Sequence, residues 1–336
     1  MSDLREFCEK LPKVELHAHL NGSLSHAIIL ELIALKGDNA LLEEYEEFKK
    51  RELVELSDFF LLFGFIYKLA VTTDAVTLMT KRVIEEFYSD GCLYLELRST
   101  PRASANMTKP DYINAMLLGV QQASESCPQI TVRLIVSIDR RNTLDESLDT
   151  LNCVELVDHK GLIVGIDLCG DPRTFAETMI QPLEKAKQMG LKVTIHTAEL
   201  PDNDGETTSI IELIPNRLGH ATFLNPDHCQ FVADKQIPIE ICVSSNVLGK
   251  TVASIEQHHF YEWYVKKHPL ILCTDDVGVF ESKLSNEYFI VAEAFNLDKH
   301  QLYELSKATI DNIFAEENIK STLRTSWNDF ENNNLL

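Results

Sequence analysis

The sequence predicts an α/β fold, a (β/α)8 TIM barrel with a helical insertion after the first strand. Short β-rich runs recur eight times along the chain with helical stretches between them, and this alternation is typical of such a barrel. Several runs are nearly continuous in valine, isoleucine and leucine, as expected of parallel strands covered on both faces. A doubly wound open sheet is the structural alternative. No low-complexity linker interrupts residues 1–336, which favours a single domain.

The predicted strands are short runs rich in β-branched and apolar residues. Many of them end next to a histidine, an acid or a small polar residue. They cover residues 13–20, 92–99, 131–139, 163–169, 192–198, 217–221, 238–244 and 269–274.

The segments between the strands carry signals for helix starts and ends. Residues 143–146 and 174–177 have the spacing of capping boxes, with threonine first and glutamate fourth. Gly91 and Gly190 stand where a glycine ends a helix, and Pro110 suits a first helical turn. These signals predict a helix before most of the strands.

The stretch from 21 to 91 is too long for one crossover between two strands. Its patterning predicts helices over Asn21–Lys36, Asn39–Leu56, Asp58–Leu69 and Thr73–Asp90. In a barrel this insertion would lie over the C-terminal mouth, as a lid or pocket wall or as a purely structural flap. The polar end of the chain, 329–336, is predicted to fray.

The composition indicates a cytosolic protein that acts on a small molecule. With 31 basic and 52 acidic residues the net charge is −21, which opposes binding to nucleic acid polymers and to anionic membrane surfaces. The first twenty residues hold no apolar signal core, and no apolar run approaches the ~18 residues of a membrane span. The eight scattered cysteines include no Cys-x-x-Cys, as expected of a reduced cytosolic chain. We expect a monomer.

Candidate catalytic side chains fall where predicted strands end, on the rim at which TIM barrels carry their reactive groups. His17 and His19 lie two residues apart in the first strand, so both side chains point to the same face. One such residue alone is more often a packed imidazole or a helix cap, but six or more on one rim favour a catalytic site. The others are Asp139, His196, Glu199, His220, Asp275 and Asp276.

This set contains the donor types that a borderline-soft cation such as Zn²⁺ prefers. Three neutral imidazoles and one carboxylate leave a position open for water, whose pKa falls to about 7 on the metal. Glu199 lies three residues beyond His196, placed to donate a proton rather than to coordinate. His220 could orient the attacking hydroxide. The adjacent Asp275 and Asp276 would repel each other unless the metal neutralises one and a substrate hydrogen bond the other.

Four motifs resemble the adenosine deaminase family in their order and context. The likeness runs from about residue 11 to residue 280 and implies a zinc-bearing barrel that hydrolyses a purine at C6, with loss of the exocyclic amine. The His-x-Glu…Pro-Cys-x-x-Cys signature of nucleic-acid base deaminases is absent. The motifs are His17-Ala-His19, His196-Thr-Ala-Glu199, Leu218-Gly-His220 and Thr274-Asp275-Asp276.

The resemblance also implies roles for individual residues. Glu199 would protonate the purine N1, His220 would assist the hydroxide, and Asp276 would accept from the N7 side of the purine. Gly170 would lie against the base. The metal itself is inferred from ligand type, and cobalt or iron could replace the zinc. One Zn²⁺ per chain would be held by His17, His19, His196 and Asp275.

One departure from the family pattern narrows the substrate class. Adenosine deaminases usually carry aspartate two residues after the second histidine of the first motif, and this chain has Asn21. A carboxylate would repel a 5′-phosphate, whereas an amide can donate to one. Ser99-Thr100-Pro101-Arg102 follows the second strand and offers two hydroxyls and a guanidinium as a phosphate clamp. An ordinary proline turn with a solvated arginine is the alternative for that segment.

Together with Asp139-Arg140-Arg141, these segments resemble the adenosine deaminase-like branch, which deaminates N6-methyl-AMP to IMP and methylamine. That branch is expected to carry a histidine on the insertion, where this chain has Tyr67. A phenol can hydrogen-bond to phosphate but cannot carry positive charge. The predicted substrate site for a purine nucleotide therefore comprises His19, Asn21, Tyr67, Ser99, Thr100, Pro101, Arg102, Asp139, Gly170 and Asp276.

Two other functions remain open at this point. A deaminase of the free nucleoside would tolerate Asn21, and a catalytically silent purine-binding relative would need neither proton donor nor hydroxide. Cys242-Val-Ser-Ser-Asn246 departs from the Cys-Pro-Thr-Ser-Asn of adenosine deaminases, and no role is assigned to it. The other histidines are predicted to be surface or core residues: His26, His159, His228, His258, His259, His268 and His300.

Overall fold

Eight parallel strands in sequence order form the centre of the molecule in a computed structural model, which describes residues 2–49, 56–174 and 177–335. The ends of the sheet meet through a parallel bridge between Ala18 and Asp275. His19 N donates to Asp275 O at 2.9 Å, and Asp275 N donates to His17 O at 2.8 Å. This closure confirms the TIM barrel and overturns the open sheet. The strands are β1 (Lys13–His19), β2 (Cys92–Ser99), β3 (Thr131–Asp139), β4 (Ile163–Cys169), β5 (Lys192–Thr197), β6 (Arg217–His220), β7 (Ile239–Ile241) and β8 (Leu270–Leu272).

The α-helices, numbered in chain order, surround the barrel and cover its rims. They are α1 (Ser2–Lys10), α2 (His26–Lys36), α3 (Asn39–Lys49), α4 (Leu56–Leu69), α5 (Thr73–Ser89), α6 (Lys109–Ser126), α7 (Leu144–Leu156), α8 (Ile180–Gln188), α9 (Asp204–Glu212), α10 (Pro226–Lys235), α11 (Val243–Leu248), α12 (Phe260–Val265), α13 (Val277–Phe280), α14 (Leu284–Phe295), α15 (Lys299–Thr309) and α16 (Glu317–Asn334). Short 3₁₀ segments cover Glu177–Met179, Ile255–Gln257 and Ile310–Asn312.

Several predicted strands end one or more residues early, because the chain turns sharply at the carboxyl rim. Ala198 and Ala221, which directly follow β5 and β6, have left-handed backbones, with φ of 51° and 50°, and a left-handed residue does not continue a strand. The last predicted residues of the seventh strand belong instead to α11, which begins at Val243. The left-handed residues change the direction of the chain, and therefore the direction in which the side chains at the rim point.

The predicted insertion forms α2, α3, α4 and α5, and the residues 50–55 of the predicted helix 39–56 lie outside the described ranges. Of these four helices, α5 packs on β2 and α6 and is therefore the crossover helix of the first β/α unit. The helices α2 to α4 are the additional elements. They connect to the barrel through contacts of α2 with α5.

The predicted helix signals have different outcomes. Thr143 forms a capping box with Glu146, whereas the second predicted box includes residues 175–176, outside the described ranges. Gly91 and Gly190 are left-handed, with φ of 80° and 81°. The prediction of a frayed end is wrong, because α16 continues to Asn334 and Phe330 packs on Phe7 and Tyr303.

Among the described helices, no single one is long and apolar enough to cross a membrane. Only when Leu62–Leu69 and Thr73–Ser89 are taken together do two of the described helices reach the length and apolar composition of a membrane span, and this pair is bent by 118°. All eight cysteines are free thiols.

Candidate metal and catalytic site

Four predicted ligands meet at the carboxyl rim of the barrel. One nitrogen from each of His17, His19 and His196, and one oxygen of Asp275, all lie within 4.8 Å of one another. His19 Nε2 is 3.1 Å from His196 Nε2, and Asp275 Oδ1 is 3.4 Å from the Nε2 atoms of both His17 and His19. Strands β1 and β5 and the turn after β8 place these atoms together.

Two buried carboxylates below the rim hold two of the imidazoles in one tautomer. His17 Nδ1 contacts Glu240 Oε2 at 2.6 Å, and His196 Nδ1 contacts Asp167 Oδ1 at 2.9 Å. A carboxylate only accepts, so both rings carry a proton on Nδ1, and Nε2 is the atom that each ring can offer to a metal ion in the cluster. Carboxylate partners of this kind orient the histidines of metal sites.

The two carboxylates belong to a charged network that is fully buried inside the barrel. Arg98 Nη2 donates to Glu240 Oε2 at 2.9 Å, and Arg98 Nη1 donates to Asp167 Oδ1 at 3.2 Å. Arg217 bridges Glu240 Oε1 and Glu96 Oε2, each at 2.6 Å. Although burial alone would raise the pKa of Glu240, the guanidinium groups of Arg98 and Arg217 hold it well below its usual range. Against the effect of burial, His196 and Arg98 likewise hold the pKa of Asp167 well below its usual range, so the carboxylates of Glu240 and Asp167 are both ionised.

The donor set fits a divalent cation. The Nε2 atom of His17 is buried and has no hydrogen-bond partner among the described residues. Although burial would raise the pKa of Asp275, contacts with His17 and His220 keep it well below its usual range, so a carboxylate faces the imidazoles. Three neutral imidazole nitrogens with one carboxylate are ligands that Zn²⁺ prefers.

Glu199, His220 and Asp276 surround this cluster. His220 Nε2 is 3.8 Å from Glu199 Oε2 and 3.9 Å from Asp275 Oδ2. Burial raises the pKa of Glu199 and lowers the pKa of His220 well below its usual range. Burial and the neighbouring Asp275 raise the pKa of Asp276 well above normal. These shifts favour the uncharged forms of all three groups: the carboxyl of Asp276, the imidazole of His220 and the carboxyl of Glu199.

Two glycines leave the space that these groups occupy. A Cβ at Gly22 would lie 1.6 Å from Asp276 Oδ1, and a Cβ at Gly219 would lie 2.8 Å from His17 Cε1. Neither glycine has a left-handed backbone, so close packing is the reason for its missing side chain.

We expect Gly22→Ala to lower both kcat and the free energy of unfolding. The added Cβ displaces Asp276 or the turn after β1, and inserting atoms into a packed site costs about 1–3 kcal/mol. Urea unfolding and steady-state kinetics measure the two effects. Gly205→Ala in α9, where a Cβ meets nothing within 4 Å, is the matched control. Equal losses in both variants would contradict the steric explanation.

Asn21 and Ser99 lie together on a second side of the site. Both hydrogen-bond to the hydroxyl of Tyr112, which is 2.8 Å from Ser99 Oγ. The Oδ1 atom of Asn21 is buried and has no partner among the described residues. This pair leaves amide and hydroxyl groups available at the rim.

Arg102 stacks its guanidinium on the ring of Tyr67, 3.6 Å from the ring centroid. Its Nε atom is buried and lacks a hydrogen-bond partner within the described part of the chain. Burial raises the pKa of Tyr67 to about 12, so the phenol is neutral. The insertion therefore reaches the segment after β2 through α4, which carries Tyr67.

Three of the other predicted substrate residues, Asp139, Gly170 and Thr100, lie against neighbouring residues of the rim. Arg141 contacts Asp139 Oδ1 through Nε at 2.8 Å and Asp139 Oδ2 through Nη2 at 2.5 Å. Gly170 is left-handed with φ of 105°, and a Cβ there would lie 2.6 Å from Asp139 Oδ1. Thr100 Oγ1 is 3.7 Å from Cys169 Sγ, and the neighbouring Pro101 is buried. Asp139 therefore orients Arg141 at the edge of the site.

Sequence reasoning missed the residues that support the site from within the barrel. Their signal was a charged residue inside an otherwise apolar strand run, which is costly unless the charge is paired. It also missed Ser245, which donates to Asp275 Oδ2 at 2.7 Å. The side chains that contact His220, Asn246 and His259, were missed as well. The charged residues are Glu15, Glu96, Arg98, Asp167, Arg217 and Glu240, all fully buried.

Comparisons with known proteins identify the family. The family model for adenosine deaminase matches residues 12–329. Human N6-methyl-AMP deaminase is 41% identical over 334 residues, covering 96% of this chain and 94% of the relative. The Arabidopsis thaliana N6-mAMP deaminase is 37% identical over 348 residues, covering 95% and 97%.

Solved structures agree with this assignment. The crystal structure of arabidopsis N6-mAMP deaminase has a TM-score of 0.91 at 38% identity, covering 96% of this chain and 99% of that one. The structure of arabidopsis ADAL complexed with IMP has a TM-score of 0.90 at 37% identity, covering 96% and 98%. The chain therefore belongs to the adenosine deaminase family, in its N6-methyl-AMP deaminase branch, and is a hydrolytic deaminase.

Proposed function

We propose that the chain is a zinc-dependent deaminase that converts a purine nucleoside 5′-monophosphate, N6-methyl-AMP, to IMP and methylamine. The observation that carries the proposal is the position of the four-ligand cluster and Glu199 on the same rim as Arg102, whose Nε donor is buried without a hydrogen-bond partner among the described residues. The relatives named N6-methyl-AMP deaminase and the arabidopsis complex with IMP support the substrate and the product.

One Zn²⁺ per chain would be held by the three imidazoles and the carboxylate of the cluster. A divalent metal is implied by membership of the family, and the tautomers set by Glu240 and Asp167 suit a cation at the Nε2 atoms. When bound, such an ion lowers the pKa of water to about 7 and supplies hydroxide near neutrality. The residues that would hold it are His17, His19, His196 and Asp275.

Glu199 protonates the purine N1 while the oxygen of water forms a bond to C6. The raised pKa of Glu199 keeps the proton available. One proton of the water returns to the Glu199 carboxylate, and the other passes from the new C6 hydroxyl to the exocyclic nitrogen. The bond between C6 and that nitrogen then breaks, so that methylamine leaves and C6 becomes a carbonyl. The raised pKa of Asp276 favours its protonated form, which donates to the purine N7, because N7 is an acceptor. The family resemblance implies that Asp276 accepts a hydrogen bond from the N7 side of the purine, whereas in this proposal Asp276 donates it.

The 5′-phosphate is bound by neutral and cationic groups at the other side of the site. The amide of Asn21, the hydroxyl of Ser99 and the guanidinium of Arg102 can donate to phosphate oxygens. The helices α2 to α4 form a wall over the mouth, since Tyr67 on α4 stacks on Arg102. In a chain with net charge −21, such a local cation is needed for an anionic substrate.

The test is a turnover assay, followed by ultraviolet absorbance, that offers N6-methyl-AMP, AMP and adenosine side by side with zinc supplied. Selective formation of IMP from N6-methyl-AMP supports the proposal. Turnover of adenosine in preference to both nucleotides would contradict the phosphate site and favour a nucleoside deaminase. Binding of nucleotides without release of amine would identify a silent relative.

We expect Arg102→Ala to lower kcat/KM for N6-methyl-AMP by about 10- to 100-fold, because a charged hydrogen bond to phosphate contributes about 1.5–3 kcal/mol. The same variant should act on N6-methyladenosine as the parent does. Arg82→Ala on α5, which removes ion pairs with Glu31 and Glu85, is the matched control. An equal loss on nucleotide and nucleoside would show that Arg102 does not bind phosphate.

A further inference from the structure

The imidazole of His220 has a different partner from the imidazoles of the metal cluster. Asn246 on α11 places its side-chain nitrogen Nδ2 3.5 Å from His220 Nδ1. Both residues are buried. An amide nitrogen only donates, so the His220 Nδ1 atom must accept.

The orientation of the Asn246 amide is determined by His258. Phe260 N donates to His258 Nδ1 at 3.0 Å, which places the ring proton of His258 on Nε2. His258 Nε2 is 3.1 Å from Asn246 Oδ1 and donates to it. Burial lowers the pKa of His258 to about 2, so this ring is neutral. The amide oxygen therefore faces His258, and Nδ2 faces His220.

The hydroxyl of Thr251 supports the same orientation of the amide. It donates to the backbone carbonyl oxygen of Asn246 at 3.1 Å, so its oxygen accepts from Asn246 Nδ2, which is also 3.1 Å away. Thr222 Oγ1, 3.4 Å from Nδ2, is compatible with either orientation, because a hydroxyl can donate or accept. A flipped amide would put its NH₂ group against the Nε2–H group of His258, where two donors would face each other. The network thus admits one assignment of the oxygen and the nitrogen.

His259 fixes the backbone of the same residue. Its Nε2 atom donates to the carbonyl oxygen of His220 at 2.8 Å. His220 has a left-handed backbone with φ of 59°, a conformation that persists only when its surroundings hold it. The carbonyl contact and the amide contact together determine where the imidazole points.

We propose that Asn246 and His258 are positioning residues that keep Nδ1 of His220 unprotonated and its ring proton on Nε2. The chain of donors runs from Phe260 N through His258 and Asn246 to His220 Nδ1. The ligands His17 and His196 receive a carboxylate at Nδ1 and the opposite tautomer. An acceptor at Nδ1 thus specifies one tautomer for the ligands His17 and His196, and a donor at Nδ1 specifies the other tautomer for the neighbouring His220.

This assignment changes what His220 does in the reaction and rests on the proposed function. With the proton on Nε2, the ring donates a hydrogen bond into the space that it shares with Glu199 and Asp275, 3.8 Å and 3.9 Å away. It holds the oxygen that attacks C6 and does not remove a proton from it. Proton transfer to the purine is left to Glu199.

The first test is the tautomer itself, read from long-range ¹H–¹⁵N correlation spectra of the zinc-supplied protein labelled with ¹⁵N in its histidine rings. The His220 signals are identified by their loss in His220→Gln. We expect the chemical shift of a protonated nitrogen at Nε2 and of an unprotonated nitrogen at Nδ1. A protonated Nδ1 in the unmodified protein overturns the proposal without any further variant.

The second test is Asn246→Asp, in which a carboxylate of the same shape replaces the donor. The His220 proton should move to Nδ1, and kcat should fall by about 10²- to 10⁴-fold, since the wrong tautomer of a catalytic histidine removes that much. KM should stay within about threefold, because the substrate contacts remain. Asn225→Asp, at the start of α10, makes the same chemical change at a helix cap and should leave both the tautomer and kcat unchanged. A variant that keeps the Nε2 proton but loses activity would refute the tautomer as the cause.

The two outcomes separate this inference from the proposed function. Protonated Nε2 in a protein that does not turn over N6-methyl-AMP would leave the positioning assignment intact and refute the substrate. Turnover of N6-methyl-AMP by a protein in which His220 Nδ1 is protonated would support the substrate and refute the positioning assignment.

Discussion

Replacing Glu199 by glutamine is expected to lower kcat for N6-methyl-AMP by about 10²- to 10⁴-fold, the usual contribution of a positioned general acid. Glutamine keeps the shape of the side chain and can still donate a hydrogen bond to the purine N1, but it cannot release a proton. KM and bound zinc should change little, because Glu199 is not among the four cluster residues. Steady-state kinetics and metal analysis of the same preparation measure the three quantities.

Glu212→Gln makes the same change on the exposed face of α9 and serves as the control. It should behave as the parent does. Turnover by Glu199→Gln within a few-fold of the parent would refute the assignment of the proton donor. Loss of zinc together with activity would instead indicate that Glu199 supports the metal.

The barrel and its cluster were predictable because their signals are local. A strand alternates its faces, so the spacing of His17 and His19 already places both side chains on one surface. The TIM barrel gathers the ends of its strands on one rim, which brings His196 and Asp275 to the same point. The closure of the sheet through Ala18 and Asp275 is the physical link between the two motifs.

The supporting residues were not predictable, because their partners are distant in sequence. Glu240 contacts His17 from a position 223 residues away, and a single glutamate in an apolar run does not indicate which residue it pairs with. His258 was predicted to be a surface or core residue. Its burial agrees with that prediction, but the bond to Asn246 depends on how α11 follows β7.

Replacing Glu240 by glutamine is expected to weaken zinc binding by about 10- to 100-fold, the usual effect of removing a partner of a metal-binding histidine. It should also lower the free energy of unfolding by about 3–5 kcal/mol, because a buried ion pair is broken and the charges of Arg98 and Arg217 lose a shared counterion. The carboxylate accepts from His17 Nδ1, Arg98, Arg217 and Thr194. An amide has one oxygen and would turn its NH₂ group toward two of these donors.

Glu96→Gln separates the effect on the metal from the effect on stability. Glu96 shares Arg217 with Glu240 at the same distance, 2.6 Å, but its contacts are with Arg217, Tyr94 and Phe314. Both variants should therefore unfold at lower urea concentration, while only Glu240→Gln should lose zinc in competition with a chelator. If both lost zinc equally, the network would act on the metal through the rigidity of the barrel. If neither did, the Nδ1 proton of His17 would not depend on Glu240.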